Sequence, residues 1–156
     1  MSGTVYSPIW EAEGVKKSFL VGADITLGQV VSFDSTTTPT ANTVITATAA
    51  LKNVAIGVAT ECRRTNVSIA SSSAQVAAAN EYVTVTMSGI VNLGANGTIV
   101  TGNLISASGN GAGTTGGDGE VVAQTIGAGN YAFMLGIALN NASDGETVKV
   151  LLTRGA

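Results

Sequence analysis

The sharpest alternation in the chain runs through YVTVTM, where Val83, Val85 and Met87 fall on one side and Thr84 and Thr86 on the other. A period of two over this length predicts a strand with one face in a core. In GQVVSFD, Val30, Ser32 and Asp34 alternate with Val31 and Phe33, predicting a second strand in a sheet with one wetter face. Further strands are expected near Val44 to Thr48, over VAIGVATEC, at 66–70, from Val121 to Thr125, from Tyr131 to Leu139 and along ETVKVLL. Residues 72–79 are rich in Ala and read as a loop or a single helical turn. Gly, Asn and Asp separate these segments, with Asp144-Gly145 marking a tight turn before the last strand.

The phrase GQVVSFD (28–34), followed by VAIGVAT (54–60), returns as GNLISAS (102–108), followed by FMLGIAL (133–139). Each copy closes on an alternating strand, from Tyr82 in the first and from Glu146 in the second. Many short strands without intervening βαβ helices predict an all-β fold, a compact β-barrel or β-sandwich with an internal β repeat. The expected organisation is an extended N-terminal arm over 1–16 and a single β domain over 17–156. Its repeat units span about 22–89 and 95–155, with a glycine-rich loop, mobile or extended, at 108–122. Tyr6, Ile9 and Trp10 are a heavy apolar load for an arm to leave in water. They are expected to pack against the body, as a first edge strand, or against a neighbouring subunit.

Composition bears on partners. The chain has 156 residues, of which 7 are Lys or Arg and 10 are Asp or Glu, so 11% are charged. An ordinary soluble domain carries roughly 25%. A surface of small neutral residues can lie against a partner without stranding ions in the contact, so the composition points toward assembly. The net charge of -3 and the isolated Lys16-Lys17 and Arg63-Arg64 pairs give no phosphate-tracking stripe, and no direct nucleic-acid contact is expected. Apolar runs fall short of the roughly 20 residues that span a bilayer, and the opening MSGTVYSPIWEAEG lacks signal-peptide character. Synthesis in a cytoplasm and no membrane partner are the expectations.

The absence of histidine excludes His-based triads and HExxH sites. No catalytic, cofactor-binding or metal residue is assigned. Cys62 is the sole cysteine, reads as a structural thiol and cannot form an intrachain disulfide. The carboxylate pairs Glu11 and Glu13, Asp118 and Glu120, and Asp144 and Glu146 read as solvated arm, loop and turn acids, with no apolar pocket to tune them. GAGTTGGDGE lacks the GK[ST] ending of a phosphate loop and the spacing of an EF-hand.

The GxLxS-type strand, the strand ending in MLGIAL, the turn and strand NNASDGETVKVLL and the glycine-rich loop together resemble the small β-barrel decoration, or cement, proteins of tailed-bacteriophage capsids. Gly136, Ala138, Leu139, Ala142, Gly145, Val148, Val150 and Leu152 match the tail phrase of that family, and the resemblance covers roughly residues 17–155. It implies a non-enzymatic, head-stabilising virion protein without cofactor. Such a protein sits on the outer surface of the capsid as a homotrimer and clamps adjacent subunits of the major capsid protein against internal DNA pressure. The contact residues expected, between subunits or with the shell, are Tyr6, Ile9 and Trp10. Val83, Val85, Met87, Val148, Val150 and Leu152 are expected in the core. The competing readings are a self-assembling fibre, spike or shell subunit and a carbohydrate-binding β module, the latter limited by only three Tyr, three Phe and one Trp.

Overall fold

The computed structural model describes residues 10–12, 14–34, 43–48, 55–62, 76–108, 119–124 and 134–153. All the regular elements among them are strands: β1 (Trp10–Ala12), β2 (Lys16–Val21), β3 (Ile25–Thr26), β4 (Val30–Phe33), β5 (Thr43–Thr46), β6 (Ala55–Cys62), β7 (Val76–Ala77), β8 (Tyr82–Thr86), β9 (Gly89–Gly94), β10 (Leu104–Ala107), β11 (Val121–Ala123), β12 (Met134–Ala138) and β13 (Thr147–Leu152). The fold is all-β, as the alternation predicts.

β2, β5, β4, β6 and β8 close into a five-stranded barrel, sealed by parallel pairing of Leu20 and Val21 with Thr43 and Val44. The second half repeats that wiring. β9, β13, β12, β10 and β11 stand in the same order in a sheet, and a parallel bridge between Ala95 and Val121 joins its two ends where Val21 meets Val44 in the first barrel. The register repeats residue by residue. Val31 faces Gly57 and Ile105 faces Gly136, and in each case a bulge follows at the next residue, Ser32 or Ser106. Ile25 pairs with Ala77 in the first half, and an isolated bridge joins Ile99 to Ala142 in the second.

Turn chemistry repeats as well. Gly28 and Gly102 both adopt positive φ, 89° and 86°, where a Cβ is costly, and their amides donate to the carbonyls of Ala59 and Ala138. Gly57 and Gly136 are required by space: a Cβ there would run into the carbonyl oxygens of Thr86 and Leu151. The glycines shared by VAIGVAT and FMLGIAL thus let β6 and β12 lie close to the strand that follows each in the barrel.

Each half fills its interior with the same positions. Phe19, Val21, Ile25, Val31, Val44, Ala59, Ala77, Val83 and Val85 form one core. Leu93, Ala95, Ile99, Ile105, Val121, Ala138, Ala142, Val148 and Val150 stand at the matching positions of the other. The predicted core residues Val83, Val85, Val148, Val150 and Leu152 are buried, and Met87 packs partly buried against the first core.

Two local expectations are corrected. Val76–Ala77 is a strand and not part of a loop or helical turn, because pairing with β3 overrides the helix preference of the Ala-rich run. The wetter face expected for β4 is dry over most of the strand: Val30, Val31 and Ser32 are all 0% exposed, and Phe33 alone is open, at 41%. The reason is that the outside of the first barrel is covered. Val30, Ala47, Ala55 and Val58 belong to the same apolar cluster as the second core, and the backbone of Gly119, just before β11, is held between Val30 and Ala47.

Candidate functional site

With no catalytic constellation predicted, the places where function could reside are surfaces. Among the expected contact residues, Tyr6 and Ile9 lie outside the described residues. Trp10 is in β1, which adds to the second-half sheet as an edge strand beside β9, with Trp10 opposite Val91 and Ala12 opposite Ile90 of the same chain. This backbone pairing matches the edge-strand alternative for the start of the chain.

The acids are tied up in turns. Asp144 Oδ1 accepts the Gly97 amide at 2.8 Å, and Glu146 Oε2 accepts the Ser143 amide at 2.7 Å. Glu81 does the same for Ala78 at the matching turn of the first half, 3.2 Å away. A carboxylate used identically in both repeats to satisfy a turn amide has a structural task. The chain also brings together two acids that are distant in sequence. Burial first, and the Asp144 carboxylate second, hold the Glu120 carboxyl above the usual carboxylate range. Glu13 and Asp118 lie outside the described residues. Among the described residues no group of three or more His, Cys, Asp or Glu side chains is placed to hold a metal. Cys62 is buried, at the edge of the first core.

The outer faces of the two barrels differ most. Across the first, the strand registers set Val30, Val58, Thr86 and Lys16 in one row. Side chains opposite one another on adjacent strands share a face. Val30, Val58 and Thr86 are fully buried, the Thr86 hydroxyl meets that of Thr60 at 2.9 Å, and Lys16 pairs with Glu61 at 3.1 Å. The matching row of the second barrel is Leu104, Ile137, Leu151 and Ile90. There Leu151 is 37% exposed, as is Leu139 (39%), which stands where the first barrel has Thr60. Leu104, Ile137 and Ile90 are half-buried. Apolar side chains therefore replace the Thr pair and the lysine on the face that is more open to water.

Sequence reasoning missed this row. Its signal was present in ETVKVLL: once Val148, Val150 and Leu152 are assigned inward, Leu151 must point outward. Other exposed apolar side chains, Tyr82 and Val100 among them, are scattered elsewhere. Phe33 is half-exposed beside Phe19, ring centroids 5.7 Å apart and edge to face, and the Lys17 ammonium lies 5.6 Å from the Phe19 centroid.

No protein-family model matches the chain, and no curated protein matches it. Among solved structures it is similar to the N base of head fibre gp8.5 in bacteriophage phi29, with a TM-score of 0.53 and 13% identity over 90% of this chain and 94% of that one. At that identity the match establishes a shared fold along nearly the whole of both chains.

Proposed function

We propose that this chain is a non-enzymatic structural protein of a bacteriophage virion, carried on the outer surface of the head. The observation that carries the reading is the match of nearly the whole duplicated fold to the base of a phage head fibre. Two further features support it: a charge content of 11%, suited to broad neutral contacts, and carboxylates committed to turn amides. In the finer form of the proposal the protein is a decoration protein. A homo-oligomer, a trimer in the family it resembles, bridges neighbouring copies of the major capsid protein and adds buried area across joints loaded by packaged DNA. Many weak contacts held in one oligomer act at high effective concentration. Tyr6, Ile9 and Trp10 are proposed as contact residues, since Trp and Tyr are the usual anchors of such surfaces.

The same neighbour favours a second reading, in which the barrels are the seat of a projecting fibre and add nothing to head strength. The two separate in one experiment: DNA-filled heads assembled without the protein are saturated with it, washed, and heated while DNA release is followed. A clamp raises the release temperature. A fibre seat binds and leaves it unchanged, and failure to bind contradicts both readings.

A further inference from the structure

Because the two halves share one wiring, the surroundings of one barrel indicate what the other is built to receive. In the first barrel the outward side of β4 and β6 is covered from within the chain. Val30, Ala47, Ala55 and Val58 join the apolar cluster of the second core, the Val30 amide donates to the Gly119 carbonyl at 2.8 Å, and the Gly119 amide donates to that of Ala47 at 3.1 Å. Gly119 adopts φ +77°, and a Cβ on it would come within 2.6 Å of the Gln29 side chain, so this approach is closely fitted. The cover is thus the β11 side of the second barrel seated on the outside of the first.

The corresponding outside of the second barrel carries Leu104, Ile137, Leu139 and Leu151, with Leu139 and Leu151 more than a third exposed. The chain is more apolar at these positions than at their buried counterparts, Thr60 and Thr86, the reverse of what solvent alone would favour. We infer that this face receives a second copy of the chain, head to tail: the first barrel of the next copy, approaching by its β5 side, covers the second barrel as the second barrel covers the first within one chain. The occupant follows from continuity with a contact the molecule already makes, since β5 and β11 hold equivalent places in their barrels, Val31 facing Thr46 as Ile105 faces Ala123. A contact of this kind joins unlike surfaces, so it can repeat from copy to copy until it closes into a ring. It does not depend on any head and is tested without one.

The test is the mass of the full chain in solution, by native mass spectrometry and sedimentation, for the wild type, for Leu139→Lys/Leu151→Lys and for Tyr82→Lys, which alters an exposed side chain away from this row. The expected result is an oligomer for the wild type and for Tyr82→Lys, and a monomer with unchanged far-ultraviolet circular dichroism for the double variant. A monomeric wild type, or a double variant of wild-type mass, overturns the inference. Should the double variant unfold, a photo-crosslinking side chain at position 151, read in a mixture of isotopically light and heavy chains, decides. Links from 151 to the first barrel of another copy support head-to-tail contact. Links from 151 to the same face of another copy, or no links between copies, overturn it.

Discussion

Gly57 and Gly136 show how closely single positions are specified, because each lies against a backbone carbonyl of the next strand that cannot swing aside. Gly136→Ala should cost about 1–3 kcal/mol, the range for forcing extra volume into a packed site. Chemical denaturation of this variant and of Gly57→Ala should give similar losses if the two positions are true equivalents. Buried hydroxyls offer a contrast on the outside of the first barrel. Ser32 Oγ is buried with no hydrogen-bond partner among the described residues, whereas Thr86 meets Thr60 at 2.9 Å. Ser32→Ala should be neutral or stabilising by up to about 1 kcal/mol, and Thr86→Val should cost about 1 kcal/mol, as measured by urea midpoints. Glu120 supplies the pH dependence. Its carboxyl is raised in the folded state, so above the ordinary carboxylate range the folded chain holds more protons than the unfolded one, and stability falls as pH rises through the raised value. Glu120→Gln removes that loss. Its melting temperature should exceed the wild type's at neutral pH, with the gap closing in acid below the ordinary Glu range; a gap that widens in acid contradicts the assignment.

At the level of strands, much of the fold was legible because the signals are local. The alternation in YVTVTM names Val83 and Val85 as core, and the return of a Gly, a strand and a Ser in GQVVSFD and GNLISAS marks β4 and β10, down to the bulge at Ser32 and Ser106. What was not legible depends on distant partners. β3 and β7 are two residues each and exist as strands only because they pair with one another across 50 positions, from Ile25–Thr26 to Val76–Ala77. The wet face expected for β4 is dry because a second barrel, coded some 90 residues later, lies on it. For the same reason the sequence directed attention to the aromatic arm and not to Leu139 and Leu151, whose meaning emerges only when the two barrels are compared. β1 lies at the edge of the sheet beside β9, and the proposal makes its Trp10 a contact residue. Trp10→Ala should weaken head binding at least 10-fold, the scale of an interface hot spot, while shifting the melting temperature by only a few degrees. Equal damage to both would place Trp10 in the fold's own support.

For the whole molecule, the duplication did not yield two independent bodies. The outward residues Val30, Ala47, Ala55 and Val58 share a cluster with the second core, so neither barrel can lose its partner without exposing apolar surface. Calorimetry should therefore show a single cooperative transition, with calorimetric and van't Hoff enthalpies equal for the protein held monomeric by the Leu139→Lys/Leu151→Lys pair. Two resolved transitions would contradict the shared core. The proposed virion role likewise concerns the whole, since the similarity of fold to the phage head-fibre base extends over both halves. The most direct test is cryo-electron microscopy of heads assembled from the cognate capsid protein without this chain, then incubated with it and washed. Ordered density for the double barrel at repeated positions on the outer surface is the expected result. Bare heads, or density confined to the interior, would contradict it.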